Sequence, residues 1–71
     1  MRDQEIFNLR GRTEWEYLIG EWVHDEVDRA MLKRRFLDGV CFEPLAEEFN
    51  LSTNHCQNRV TKAKEQLFKN I

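Results

Sequence analysis

"LAEEFNLSTNHCQNRV", residues 45–60, has the pattern of two helices joined by a tight turn. Asn50 can adopt the left-handed backbone that ends the first helix, and Ser52 can accept a backbone N–H at the start of the second. A small residue, Ala46, stands where two crossing helices come close together, and Cys56 places an apolar side chain inside the second helix. The stretch therefore predicts a helix-turn-helix.

The second helix of this unit has one apolar side and one polar side. With about 100° of rotation per residue, four apolar residues project within about 60° of one another. They are Cys56, Val60, Ala63 and Leu67. Arg59 lies near the edge of this stripe, and the rest of the surface is rich in amides and poor in acids. The exposed residues are predicted to be Asn54, His55, Gln57, Asn58, Thr61, Lys62 and Glu65.

Residues 13–39 are predicted to form two supporting helices, preceded by a loose arm or short turn over residues 1–12. Thr13 and Glu16 have the spacing of a capping box at the start of the first helix. Asp25 marks the start of the second, where acids are favoured. The predicted core residues are Trp15, Leu18, Ile19, Trp22 and Val23 in the first helix, and Val27, Met31, Leu32 and Phe36 in the second.

The helix-turn-helix is predicted to span residues 42–69. Gly39 can take the left-handed conformation that stops the helix before it. Pro44 falls in the first turn of the next helix, where a missing N–H costs nothing. Because no strand pattern or internal repeat is present, the sequence predicts a single all-α domain over residues 1–71. Its expected form is a small three- to four-helix bundle with a C-terminal helix-turn-helix.

The formal net charge of −2 is unevenly distributed along the chain. Residues 1–50 contain seven Lys or Arg and twelve Asp or Glu, which gives −5. Residues 51–71 contain four basic residues and one acidic residue, which gives +3. This asymmetry indicates that an anionic partner would dock on the C-terminal segment.

Several classes of function have no sequence signal. Cys41 and Cys56 are fifteen positions apart and are expected to be reduced; with His24 and His55 they complete no metal-ligand spacing. No catalytic motif or glycine-rich phosphate loop is present, so neither an enzyme nor a cofactor is expected. No membrane span or signal peptide is predicted, and the expected location is cytoplasmic.

The polar side of the last helix carries groups that suit double-stranded DNA. In a helix-turn-helix the second helix enters the major groove, and residues near its start contact base edges. Asn and Gln can form two hydrogen bonds with adenine, hydroxyl groups can bond phosphates or bases, and Lys or Arg can neutralise phosphates. The pattern therefore favours a DNA-binding module.

Residues 29–69 resemble the fourth region of the housekeeping-type bacterial sigma factors and of small sigma-like phage regulators. No single match is specific, but their order and spacing are shared. The matching residues are Arg29, Met31, Leu32, Arg35, Phe36, Gly39, Leu45, Ala46, Ser52, Lys62, Ala63 and Leu67. The resemblance implies a winged-helix-like DNA-binding domain that acts in transcription and docks on RNA polymerase. Regions that melt promoter DNA have no counterpart in the 71 residues.

Carried over by position, the promoter-reading residues fall on Thr53, Asn54, His55, Gln57 and Asn58, with Ser52 close to phosphate. Arg59, Thr61 and Lys62 extend the predicted DNA-binding set, and Lys33, Arg34 and Arg35 are predicted phosphate contacts. Because the family usually has Arg or Glu at several of the reading positions, its usual promoter sequence is not implied.

Four further positions depart from the family pattern. Arg34 and Arg59 replace apolar residues, which indicates either a rearranged core or a new phosphate-facing edge. Cys41 replaces a Ser or Thr cap, and Asn50 replaces the commoner Gly.

Two functions follow from these observations. The first is sequence-specific binding of double-stranded DNA in transcription regulation. The alternative is a protein-interaction module that binds RNA polymerase, a sigma factor or a second copy of itself, with little DNA affinity. The acidic first half favours the alternative, and burial of Trp15 or Trp22 across a dimer interface would be compatible with it.

Overall fold

Five α-helices follow one another along residues 3–71, the part of the chain that the computed structural model describes. They are α1 (Asp3–Phe7), α2 (Arg12–Trp22), α3 (Glu26–Leu32), α4 (Phe42–Glu48) and α5 (Thr53–Lys69). A π-helical turn over Lys33–Leu37 continues α3. The all-α prediction is confirmed, and no strand is present in residues 3–71. None of these helices is long and apolar enough to cross a membrane.

Helix α5 is the centre of the packing and contacts α2, α3 and α4. The four residues predicted for its apolar side, Cys56, Val60, Ala63 and Leu67, are all buried. They close a single core to which every helix contributes. The other buried residues are Phe7, Trp15, Ile19, Val23, Met31, Leu32, Phe36, Leu45 and Ala46.

The segment predicted to be a loose arm contains helix α1, which is part of this core. Phe7 is only 3% exposed. Its ring stacks on that of Phe36 with the centroids 4.4 Å apart, and it lies 4.5 Å from the ring of Trp15. The arm prediction was therefore wrong over residues 3–7, because a single buried aromatic anchors a helix too short to show a periodic pattern. Met1 and Arg2 lie outside the described residues.

Helix α2 begins two residues earlier than the predicted cap at Thr13 implies. Gly11 is its N-cap residue, and no side chain caps its first turn. The predicted capping box of Thr13 and Glu16 does not form, because Arg12 is already helical and binds Glu16 at 3.0 Å. Thr13 is exposed.

The connection between α2 and α3 is held by side-chain hydrogen bonds. Asp25 caps α3 by accepting from the amides of Val27 (2.8 Å) and Asp28 (3.1 Å), as predicted for this helix start. The guanidinium of Arg29 donates to the carbonyl of Val23 and, at 3.0 Å, to that of Gly20. The turn that sets the direction of α3 is therefore fixed from both sides.

Val27 was predicted to be a core residue but is 39% exposed. It lies in the first turn of α3, beside the Asp25 cap, where the helix has not yet reached the core. Met31 and Leu32, one turn further on, are fully buried. The apolar side of α3 therefore begins a turn later than the sequence pattern indicates.

The π-helical turn ends at Leu37, and Gly39, two residues later, has the predicted left-handed conformation with φ of +74°. The amide of Asp38 donates to the carbonyl of Lys33, five residues earlier, at 3.0 Å. The amide of Val40 then donates to the carbonyl of Arg34, also at 3.0 Å. The chain reverses here and enters α4, whose first turn contains Pro44.

Candidate functional site

The turn between α4 and α5 is a Schellman motif. The amide of Leu51 donates to the carbonyl of Ala46 at 2.9 Å, and the amide of Asn50 donates to that of Glu47 at 3.2 Å. Asn50 has the left-handed φ of +58° that this motif requires. Its predicted role as the residue that ends α4 is therefore confirmed.

Ser52 caps α5 directly after this turn. Its Oγ accepts a hydrogen bond from the amide of His55 at 3.1 Å. The half-buried side chain of Leu51 packs against the core between the two helices. Leu45 and Ala46 on α4 and Cys56 on α5 are buried at the contact between the helices. The turn, the cap and these buried residues thus hold α4 and α5 against each other.

The predicted DNA-binding residues are brought together on the first three turns of α5. Six of them are exposed: Asn54, His55, Gln57, Asn58, Thr61 and Lys62. Ser52 is exposed at the cap, and Thr53 and Arg59 are half-buried. By helical rotation Asn54, Asn58 and Thr61 share one face of the exposed surface. The surface therefore presents amides and hydroxyls at its centre.

Arg59 is committed to an ion pair within the fold. Its Nε lies 2.9 Å from a carboxylate oxygen of Asp28, and its Nη2 lies 3.3 Å from Asp25. It joins α5 to the first turn of α3. Arg59 is thus half-buried at the edge of the core and paired within residues 3–71.

Arg34 is held in the same way. Its Nη2 lies 3.1 Å from Glu48 at the end of α4, and its Nη1 lies 3.3 Å from Asp38. Hydrogen bonds that Arg34 donates to Glu48 and then to Asp38 raise the pKa of Arg34 above its usual value. Arg34, like Arg59, is absent from the core and serves to join two elements.

The other two predicted phosphate contacts differ from Arg34. Arg35 lies over the ring of Phe42, with its guanidinium carbon 4.7 Å from the ring centroid, and over that of Phe36 at 5.4 Å. Its Nε is buried and has no hydrogen-bond partner among residues 3–71. Lys33 is half-buried and forms no ion pair within that range.

These ion pairs lower the positive charge that α5 offers to a partner. Lys64 lies 2.7 Å from Asp3 and is paired, as is Arg59. Within residues 3–71, the basic residues of α5 outside such pairs are Lys62 and Lys69, and both are exposed. These ion pairs could not be predicted from the sequence pattern, because they join residues 31 to 61 positions apart in the chain.

The cysteines lie on different elements. Cys41 is the exposed N-cap residue of α4 and forms no side-chain cap bond, whereas Cys56 is buried. Burial raises the pKa of the Cys56 thiol. Within residues 3–71 no three His, Cys, Asp or Glu side chains are grouped as metal ligands would be.

Comparison with known proteins gave no match: no family model, no curated protein and no solved structure is significantly similar to this chain.

Proposed function

We propose that this protein is a sequence-specific double-stranded DNA-binding module that acts in transcription regulation and resembles the fourth region of sigma factors. The observation that carries the proposal is the Schellman turn and Ser52 cap, after which α5 presents an exposed, amide-rich surface. A helix-turn-helix of this kind places its second helix in the major groove.

The side chains on this surface have complementary roles in DNA recognition. Asn54 and Asn58, one turn apart, can each bond the N6 and N7 edge of an adenine, and Gln57 offers the same chemistry on the adjacent shoulder. Thr61 supplies a hydroxyl. Lys62 extends from the third turn, where it can neutralise a phosphate. In this proposal the amides recognise base edges, while the lysine is attracted to the phosphate backbone.

Intramolecular pairing limits the electrostatic part of binding. With Lys62 and Lys69 as the cations of α5 outside the ion pairs, about two phosphates would be engaged, which gives a slope of about −1.8 for log K against log salt. Affinity should therefore be modest and weakly dependent on salt. Sequence discrimination by the amides carries a larger share of the binding energy.

The second candidate function is a protein-interaction module that binds RNA polymerase, a sigma factor or a second copy of the chain. It is favoured by the exposure of two large side chains outside the helix-turn-helix, Leu9 (69%) and Tyr17 (68%). Tyr17 shares a face of α2 with Glu14 and Glu21, both of which are exposed. A basic, partly apolar protein surface would complement this face.

The two functions separate in a binding experiment with labelled duplex DNA. Duplexes are selected from a random pool at low salt, and the affinity of the selected sequence is measured against a shuffled one at several salt concentrations. We expect the selected duplex to bind more tightly, with the shallow slope given above. If no duplex is retained at low salt while RNA polymerase binds the protein, the protein-interaction function replaces the DNA-binding one. Sedimentation with and without DNA gives the oligomeric state.

A further inference from the structure

Arg59 occupies a position from which it could contact DNA. It lies one turn after His55 and one turn before Lys62, on the same flank of α5. Both neighbours are exposed, and the Arg59 side chain itself keeps 29% of its surface accessible. Its contact with Asp28 and Asp25 is therefore at the surface, and a phosphate on this flank would compete for the same guanidinium.

The two carboxylates are fixed in place before any partner arrives. The Oδ1 atom of Asp25 accepts hydrogen bonds from the backbone amides of Val27 and Asp28. The same oxygen also accepts a hydrogen bond from Nη2 of Arg59. Asp28 lies in the first turn of α3, and its carboxylate accepts a hydrogen bond from Nε of Arg59 at 2.9 Å. Two carboxylates therefore face the guanidinium of Arg59 beside the predicted DNA-binding surface, and the charge of Arg29 also acts on Asp25.

We propose that Asp25 and Asp28 form an autoinhibitory contact: they occupy Arg59 and repel phosphate, so that the protein binds duplex DNA more weakly than its recognition helix permits. Release of Arg59 would add a cation next to Lys62 and remove the repulsion. The inference rests on the proposed DNA-binding function. It accounts for one of the two basic residues of α5 that lie in ion pairs within the described chain, since the other, Lys64, pairs with Asp3.

The test compares two substitutions with the same change in charge. Asp28→Asn removes the closer partner of Arg59, while Glu26→Gln neutralises an exposed acid in the same turn that forms no ion pair within residues 3–71. Asp25→Ser/Asp28→Asn removes both carboxylates and keeps an N-cap acceptor. The full chain is used throughout, and circular dichroism confirms that each variant is helical.

We expect Asp28→Asn to bind the selected duplex about two- to fivefold more tightly than Glu26→Gln. The salt slope should steepen by about 0.9, which corresponds to one additional phosphate. Addition of Arg59→Gln to Asp28→Asn should return the affinity and slope to those of Glu26→Gln. If one variant fails to fold, Asp25→Ser/Asp28→Asn gives the same comparison and should also bind the duplex more tightly than Glu26→Gln.

The outcomes distinguish this inference from the proposed function. Equal affinities for Asp28→Asn and Glu26→Gln, in a protein that binds the duplex, overturn the autoinhibitory contact and leave DNA binding intact. A gain in Asp28→Asn that persists when Arg59→Gln is added also overturns it, because Arg59 would then not be the cation that is released. If neither the wild-type protein nor any carboxylate variant binds the duplex, DNA binding itself is wrong. Binding that appears only in the carboxylate variants supports the inference.

Discussion

The indole Nε1 of Trp15 donates a hydrogen bond to the backbone carbonyl of Phe7 across 2.7 Å in the protein interior. The two rings also pack against each other, and Phe68 of α5 lies 5.5 Å from Phe7 by ring centroid. Helix α1 is therefore bound to both α2 and α5 through one aromatic cluster. The N-terminal segment belongs to the folded unit that supports the helix-turn-helix.

Loss of the Phe7 ring should destabilise the whole domain. We expect Phe7→Ala to lower the free energy of unfolding by about 3 kcal/mol, since it leaves a cavity beside Trp15 and Phe36. Leu9→Ala is the matched control, because Leu9 is an exposed apolar residue two positions away, and it should change stability by less than about 0.5 kcal/mol. Urea unfolding followed by tryptophan fluorescence measures both. Similar losses in the two variants would show that α1 is not anchored by Phe7.

The left-handed backbone at Asn50 predicts an unusual order of stability among its substitutions. Asn50→Ala should cost about 1 kcal/mol, because a Cβ without a local hydrogen bond is disfavoured at φ of +58°. Asn50→Gly should be neutral or slightly stabilising, although glycine usually destabilises a fold. Asn54→Ala, on the exposed surface of α5, serves as the control for loss of an amide. Thermal unfolding measures the order, and a higher Tm for Asn50→Ala than for Asn50→Gly would contradict the turn geometry.

Amide and lysine substitutions on α5 should have different effects on DNA binding. Asn58→Ala should change sequence preference, with a loss of about 1–3 kcal/mol on the selected duplex and little on others. Lys62→Ala should weaken binding to all duplexes alike and reduce the salt slope by about 0.9. Affinities for the selected duplex and single-base variants measure the two effects. The same pattern of losses in both variants would refute the division between reading and positioning residues.

The domain should be sensitive to acid through two carboxyl groups. Hydrogen bonds from the amides of Asp28 and Val27, together with the charge of Arg59, lower the pKa of Asp25. Arg12, and then Arg34, lower that of Asp38. Because both pKa values are lower in the folded state, the stabilisation is complete above the unfolded value of about 3.9 and is lost as the pH falls through the folded value.

We therefore expect the Tm to be steady between about pH 7 and pH 5 and to fall below about pH 4. Asp25→Ser keeps a cap acceptor but removes one of the titrating groups, so its Tm should fall less over the same acid range. Differential scanning calorimetry at a series of pH values makes the comparison. Parallel pH profiles for the two proteins would exclude Asp25 as a source of acid sensitivity.

The fold was predictable where local chemistry determines it. The buried side of α5, the cap at Ser52 and the left-handed residues Gly39 and Asn50 each follow from short-range periodicity or backbone preference. Helix α1 and the exposure of Val27 were not predictable in this way, because they depend on contacts with distant residues.

The candidate site shows the same division. Helical rotation alone placed Asn54, Asn58 and Thr61 on one exposed face. The pairing of Arg59 with Asp28, and of Arg34 with Glu48, arises only when α3, the π-helical turn and α4 come together. A charge count from the sequence includes these arginines as free cations. It therefore overestimates the positive charge that the surface presents to an anion.

The wide turn at Lys33–Leu37 makes the length of this segment as important as its composition. Each of its backbone hydrogen bonds joins residues five apart, whereas an α-helical hydrogen bond joins residues four apart. The turn already accommodates one extra residue between the bonded groups, and a further insertion here would rotate every later side chain by about 100° relative to α3. Phe36 would lose its register with Phe7, and Arg34 with Glu48. Single-residue insertions between α3 and α4 should therefore be tolerated far less well than substitutions.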